Sequence, residues 1–143
     1  MPYLQTPFSE SQGRLSPDGK WMAYASDESS RFEVYVQSMP ASGGKWQIST
    51  AGGTEPRWRR DRKEMFYRSP DGKMMAVDIK AGASFAAGVP KPLFDARFNE
   101  FFSVGGRYDV TADGQRFLIN VPAASATDLP ITIVSNWTAT LKQ

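Results

Sequence analysis

The side chains that could do chemistry in this chain are charged or aromatic, because the sequence contains no cysteine and no histidine. Disulfides, thiol catalysis, zinc sites built from Cys and His, and a Ser-His-Asp triad are therefore excluded. The 17 Lys and Arg residues nearly balance the 15 Asp and Glu residues, so the net charge is only +2. This balance does not favour nucleic acid as a partner, and the residues indicate no cofactor.

Six polar residues recur in phase along the chain and form the candidate binding set. They lie four or six positions before a repeated aspartate: Arg14, Arg57 and Asp109, and Gln12, Glu55 and Arg107. Converging guanidinium groups suit a carboxylate or a phosphate. We expect these side chains to lie on the first strand of each repeat and to line a central, water-filled channel that binds an anionic ligand or a peptide. The alternative is a solvated channel with mutual salt bridges, which are common in proteins.

The repeated aspartates themselves, Asp18, Asp61 and Asp113, could be interpreted as an acid cluster or a metal site. An aspartate at the corner of a tight turn bonds its own backbone and needs no other partner, so the turn interpretation is favoured. No pair of carboxylates stands out as a general acid and base for glycoside hydrolysis. The sequence therefore predicts no metal site and no catalytic residue.

These residues belong to a repeated strand, turn and strand. The best copy is Leu15–Ser26, where Pro17, Asp18 and Gly19 have the residue types of a tight turn. Weaker copies run over residues 58–69 and 110–120. The strand after each turn is rich in aromatic and apolar residues, as expected for a half-buried strand.

The spacing of the copies predicts a β-propeller. The three aspartates are 43 and 52 residues apart, and periods of about 40–50 residues with four strands each are typical of propeller blades. Three apolar columns keep the same phase and should pack between stacked sheets: Leu15, Trp58 and Val110; Met22, Met65 and Phe117; and Tyr24, Tyr67 and Ile119. Trp58 is thus expected in the core and Arg57 on the opposite face.

The predicted fold class is all-β, with four-stranded antiparallel blades, three blades per chain and almost no helix. The blades are expected at residues 13–50, 54–97 and 106–137, and the third should lack its own outer strand. Residues 1–8, with a short extended segment at Tyr3–Phe8, would supply that strand to a second copy. Because known propellers have about 4–8 blades, we expect a homodimer that closes a six-bladed ring.

Several phrases of the sequence resemble the WD40-like PD40 β-propeller repeat of TolB-like proteins. The resemblance rests on Ser16-Pro-Asp-Gly-Lys-Trp-Met-Ala-Tyr24 followed by residues 27–35. Residues 45–50, 52–58 and 108–120 are similar to the C-terminal propeller blades of bacterial proteins that carry a kinase or DNA-binding domain upstream. The resemblance covers essentially the whole chain and implies a sensory or protein-binding propeller.

The sequence departs from that repeat in two turns. Arg62 stands where the turn glycine is expected, and Thr111-Ala112 replaces Ser-Pro. No kinase signature is present, so kinase activity does not carry over to this chain.

The functional expectation is a non-enzymatic module for protein interaction or ligand sensing. One alternative is a purely structural role as the terminal blades of a larger sensory or kinase-linked protein. Another is a propeller hydrolase or lyase, although the usual histidine base is missing. No apolar run approaches the length of a membrane span and no signal peptide is visible, so the sequence leaves the periplasm and the cytoplasm both open.

Overall fold

The structure is a computed structural model, and it describes residues 6–41, 44–98, 106–121 and 131–135. These residues form twelve β-strands and no helix, and every pair of neighbouring strands is antiparallel. The described part of the chain accordingly offers no helical segment with the length and apolarity of a membrane crossing. The strands form three sheets in chain order, which we call sheets I, II and III.

Sheet I contains four strands in the order in which they follow one another in the chain. They are β1 (Glu10–Leu15), β2 (Trp21–Ser26), β3 (Glu33–Ser38) and β4 (Lys45–Gln47). The hairpin between β1 and β2 contains the turn predicted at residues 16–19, and Gly19 has a positive φ of 70°. Glycine tolerates this backbone conformation at no steric cost.

Sheet II contains five strands: β5 (Thr54–Trp58), β6 (Glu64–Arg68), β7 (Lys73–Ala81), β8 (Phe85–Ala87) and β9 (Lys91–Asp95). Strand β7 is long enough for its two halves to pair with different partners, β9 and β8. The sequence predicts a single fourth strand for this blade, with residues 88–94 leading into it. The structure instead builds this edge from two short strands, because the chain turns back on itself at Gly82 and Ser84.

Sheet III contains β10 (Tyr108–Val110), β11 (Arg116–Asn120) and β12 (Ile131–Ser135). The predicted N-terminal strand at Tyr3–Phe8 lies partly outside the described residues. Its described portion, residues 6–8, is not part of a strand. The pairing of residues 1–8 with the edge of sheet III therefore stays a prediction.

Two apolar clusters hold the sheets together face to face. The first joins sheets I and II, and its buried members are Trp21, Ala23, Val34, Val36, Ile48, Met65, Tyr67, Val77, Ile79 and Phe85. The second joins sheets II and III, and its buried members are Phe66, Met74, Ala76, Leu93, Ala96, Phe98, Tyr108, Phe117 and Ile119. Sheet II thus packs on both faces, as the alternation of apolar residues along its strands requires.

The apolar columns of the sequence point in the predicted phase but are not equally buried. Met65 and Phe117 are fully buried, whereas Trp58 is only half-buried against the first cluster. Leu15 is not packed within the single chain, where 51% of this residue is exposed. Leu15 pairs with Met22 on the face of sheet I opposite the first cluster, where no other described sheet packs.

Candidate functional site

The six candidate residues lie on or beside the inner strands β1, β5 and β10. Two of these strands contain a bulge, where the register shifts between residues 11 and 14 and again between residues 54 and 57. Gln12 and Glu55 occupy the bulges with positive φ angles of 59° and 56°. A bulge changes the direction of a side chain, so the side chains of Gln12 and Glu55 point toward the next sheet.

Gln12, Glu55 and Arg107 form a ladder of hydrogen bonds from sheet to sheet. The Glu55 backbone N–H donates to Oε1 of Gln12 at 2.8 Å, and the Arg107 backbone N–H donates to Oε2 of Glu55 at 2.7 Å. The Arg107 guanidinium also donates through Nη1 to Oε1 of Glu55 at 2.7 Å. The Gln12 and Glu55 side chains therefore each accept a backbone N–H of the next sheet, and the Arg107 side chain binds back to Glu55. We interpret this trio as joining the sheets.

Glu55 is engaged so fully that a ligand would have to displace its protein partners. Only 1% of its side chain is exposed, compared with 15% for that of Arg107. A buried carboxylate with a guanidinium and a backbone donor has its charge compensated inside the protein. The two residues are thus less suited to direct ligand contact than the exposed members of the set.

Arg57 is held in place by sheet III. Its guanidinium carbon lies 5.4 Å from the centre of the Tyr108 ring, and Nη2 donates to the carbonyl oxygen of Tyr108 at 3.5 Å. A Cβ atom at Gly106 would come within 2.7 Å of Nη2, and the φ of Gly106 is 94°, so a glycine is required beside this side chain. Only 11% of the Arg57 side chain is exposed.

Arg14, Arg57 and Asp109 are brought together with Tyr108 around a cavity of about 350 Å³. The Nε atom of Arg57 lies 3.9 Å from Oδ1 of Asp109, at the outer limit of an ion pair. Asp109 has a side chain that is 76% exposed, and Arg14 is also exposed. The cavity therefore combines one fixed cation with one accessible cation and one accessible carboxylate.

Tyr108 is the member of this site that the sequence reasoning missed. Its hydroxyl group donates to the backbone carbonyl of Glu55 at 2.7 Å, and burial raises the pKa of the phenol well above its ordinary value. The side chain is thus neutral at physiological pH and links sheets II and III. Tyr108 belongs to none of the three apolar columns of the sequence, and its hydrogen bond depends on the bulge at Glu55.

A second buried carboxylate was also missed. Glu33 accepts the Arg31 Nε–H at 2.7 Å and the Gly52 backbone N–H at 2.9 Å, and it pairs with the hydroxyl group of Ser49. Burial, and secondarily the charge of Glu33, raises the pKa of Tyr67 to about 12. This network ties the end of sheet I to the chain that enters sheet II.

The repeated aspartates lie in three separate turns, as the turn interpretation predicted. Each accepts a backbone N–H from the residue two positions ahead: Asp18 from Lys20, Asp61 from Lys63, and Asp113 from Gln115. Hydrogen bonds lower the pKa of all three carboxyl groups, the largest contributions coming from Ser16, Arg59 and Thr111 respectively. Among the described residues, no group of acidic side chains converges on a possible metal position.

The basic run at residues 57–63 is largely paired. Arg59 binds Asp61 and Glu64 through hydrogen bonds of 2.7 and 2.8 Å, and Arg62 pairs with Asp18 of sheet I. Burial raises the pKa of Glu64, while the charge of Arg59 opposes that rise. Arg62 has a φ of 63°, the left-handed turn conformation that glycine adopts at the equivalent positions of the other two turns.

The known proteins that this chain resembles are found among solved structures. No protein-family model matches the chain, and no curated protein matches it in sequence. The resemblance to the PD40 repeat therefore stays a prediction.

Two solved structures are similar to this chain over most of its length. One is oligogalacturonate lyase from Vibrio parahaemolyticus, with a TM-score of 0.59, 15% identity, and coverage of 82% of this chain and 31% of that one. The other is a TolB-type protein from Agrobacterium tumefaciens, with a TM-score of 0.59, 17% identity, and coverage of 92% of this chain and 47% of that one. This chain thus spans less than half the length of either structure. Identities this low bear on the fold alone, and the fold is similar to part of a TolB-like β-propeller.

Proposed function

We propose that this chain is a non-enzymatic interaction module that binds an anionic ligand at the mouth of a propeller channel. The observation that carries the proposal is the cavity where Arg14 and Arg57 converge beside Tyr108 and Asp109. The ligand we infer is a peptide or small molecule with a carboxylate. A bidentate guanidinium pair recognises this group with useful strength and geometry.

The fixed arginine supports this proposal. Arg57 is largely buried and lies over the Tyr108 ring, so little side-chain entropy remains to be lost when it binds an anion. Arg14 is exposed and can move to complete the contact. Asp109 would set specificity, because its carboxylate repels anions that approach from its side.

We also propose that the three sheets are three blades, at residues 13–50, 54–97 and 106–137, and that two chains close a six-bladed ring. The outer faces of sheets I and III both expose large apolar residues, Leu15 at 51% and Leu118 at 48%. Such faces favour association. The alternative is that these blades belong to a larger protein whose other blades complete the ring, in which case the chain has a structural role there.

The second candidate function is a lyase, which is favoured by the similarity to a protein named oligogalacturonate lyase. Its named substrate is an anionic sugar, and an arginine-lined cavity would also suit an anionic sugar. Guanidinium groups remain protonated and Tyr108 donates its proton to a carbonyl oxygen, so Asp109 would be the base among the residues that line the cavity. Incubation with oligogalacturonate separates the two functions, because a lyase releases an unsaturated product that absorbs ultraviolet light.

The anion proposal is tested by calorimetric titration with a short acidic peptide. Arg14→Gln should weaken binding by about tenfold, the loss of one charge-assisted contact. Arg60→Gln is the matched control, since Arg60 is equally exposed but does not line the cavity. If the wild type releases no heat, or if both variants weaken binding equally, the proposed site is wrong.

A further inference from the structure

The exposed leucine of sheet III occupies a position that is buried in the other two sheets. Leu118 lies five residues after the repeated aspartate, as Ala23 and Phe66 do. Ala23 and Phe66 are completely buried at the two sheet junctions, whereas Leu118 is 48% exposed. The third sheet therefore has a junction face with no described sheet packed on it.

The exposed leucine of sheet I lies at the repeat position that, in sheets II and III, packs against the preceding sheet. Leu15 lies three residues before the repeated aspartate, as Trp58 and Val110 do. Trp58 and Val110 pack into the first and second clusters, beside Ala23 and Phe66 respectively. In the first cluster, the equivalent of Leu15 (Trp58 of sheet II) thus packs with the equivalent of Leu118 (Ala23 of sheet I). The second cluster repeats this arrangement one sheet further along the chain.

We propose that sheet III of one chain binds sheet I of a second copy, with Leu15 of the copy packed beside Leu118 and Arg14 of the copy facing Asp109. This inference rests on the six-bladed closure proposed above and specifies its contacts. The occupant is a second copy of this chain because the two open faces carry the two halves of the same repeated junction. A two-fold axis makes both contacts at once and leaves no junction face open.

A cavity lies where this geometry requires one. It measures about 350 Å³ and is lined by Asp109, Val110, Thr111, Arg116, Phe117 and Leu118. Asp109 and Leu118 form a cross-strand pair on the open face of sheet III, whereas Val110 and Phe117 belong to the second cluster. At the first junction, the Trp58 indole N–H donates to the carbonyl oxygen of Arg14 at 3.0 Å. Arg14 and Asp109 are equivalent in the repeat. When sheet I of the copy packs on sheet III as sheet II packs on sheet I, the Leu15 side chain of the copy lies at the cavity beside Asp109.

The charges at the proposed junction are complementary. At the second junction, Arg57 and Asp109 hold equivalent positions in their sheets, and their charged atoms are 3.9 Å apart. The corresponding pair at the closing junction is Asp109 with Arg14 of the copy. Asp109 is largely exposed and Arg14 is exposed in the single chain, so both are accessible to form an opposite-charge pair that fixes register.

Cysteine pairing tests the contact, because the natural sequence has no cysteine to compete. An equimolar mixture of Leu15→Cys and Leu118→Cys chains should give a disulfide-linked dimer on mild oxidation. The matched control is Val89→Cys mixed with Leu118→Cys. Val89 is also a large exposed apolar residue, at 79%, but it lies outside both open faces. The control mixture should remain largely uncrosslinked.

A second measurement uses sedimentation and needs no oxidation. Leu118→Asp should raise the dissociation constant of the dimer at least tenfold, while Val89→Asp should leave it unchanged. A wild-type dimer that neither crosslinks through Leu15 and Leu118 nor responds to Leu118→Asp would overturn this junction but leave dimerisation standing. A monomeric wild type would overturn the junction and the ring closure together, whereas the acidic-peptide titration judges the anion site separately.

Discussion

Arg57 and Trp58 are adjacent residues on opposite faces of sheet II, where Trp58 packs toward sheet I and Arg57 packs toward sheet III. The sequence predicted their opposite faces correctly, because side chains alternate along a strand. It did not predict their burial. Trp58 is only half-buried, whereas the side chain of Arg57 is 11% exposed because it lies over Tyr108. The apolar column predicts that Trp58→Ala destabilises the protein far more than Arg57→Ala, and the observed burial makes the expected difference smaller.

At the residue scale, Trp58→Ala should lower the free energy of unfolding by about 2–3 kcal/mol, less than the ~3–5 kcal/mol typical of a fully buried tryptophan. Trp58→Phe keeps most of the apolar contact and loses the hydrogen bond to Arg14, so it should cost about 1 kcal/mol. Urea denaturation of the two variants measures the difference. Equal costs would mean that the indole packs little and contributes mainly its N–H.

Glu55→Gln tests the ladder that joins sheets II and III. The amide keeps the shape of the carboxylate but weakens the bonds from Arg107, so we expect a loss of about 2 kcal/mol in the free energy of unfolding. Asp78→Asn is the control, because Asp78 and Lys91 form an ion pair with both side chains 71% exposed. Surface pairs of this kind contribute little, and the control should stay close to the wild type. Similar denaturation curves for both variants would contradict the role given to Glu55.

At the element scale, the turns show how the repeat tolerates changes of residue type. Thr111 replaces the expected serine, yet its hydroxyl group accepts the Arg116 N–H at 3.1 Å, as the Ser16 hydroxyl accepts the Trp21 N–H at 3.1 Å. Arg62 replaces the expected glycine and pairs with Asp18. The strained conformation of Arg62 is therefore offset by a contact between sheets.

Arg62 allows a matched test of that strain. Arg62→Gly and Arg62→Ala both remove the pair with Asp18, but only alanine keeps a Cβ at a φ of 63°. The glycine variant should be more stable than the alanine variant by about 1 kcal/mol. Chemical denaturation at neutral pH gives the comparison. An alanine variant as stable as the glycine variant would show that this turn relaxes to another conformation.

The pH dependence of stability should reflect the three turn aspartates. Their pKa values are lowered in the folded chain, so their contribution to stability is present above the ordinary aspartate range of about pH 4. It is lost as the pH falls through the lowered values. Urea midpoints measured from neutral pH down to about pH 2 should decline in acid, and the triple variant Asp18→Asn, Asp61→Asn, Asp113→Asn should flatten part of that decline. An identical acid profile for this variant would contradict the assignment.

Local patterns in the sequence were enough to predict the hairpins but not the bulges. The sequence predicts strands at Glu64–Arg68, Arg116–Asn120 and Ile131–Ser135, and these are the bounds of β6, β11 and β12. The divided edge formed by β8 and β9 was not predicted, since β7 changes partner along its length. The use of Glu55 between sheets also depends on a positive φ that no residue preference indicates for glutamate.

At the scale of the whole molecule, the three sheets form a stack, and we propose that this stack continues across a two-fold axis into a second copy. The faces of sheet II are covered on both sides, while Leu15 and Leu118 lie on the uncovered faces of sheets I and III. Deleting residues 1–8 should weaken the dimer if that segment supplies the outer strand of the partner's third blade. Sedimentation of the shortened chain measures this, and unchanged association would remove residues 1–8 from the junction.

The most direct test of the six-bladed ring is the mass of the wild-type chain in solution. Light scattering at micromolar concentration should give twice the 15.9 kDa of one chain, because two sets of three blades are needed to close the ring. The mass should stay at that value as the concentration rises, since a closed two-fold ring leaves no free face. A mass of 15.9 kDa together with a cooperative thermal melt would contradict the ring.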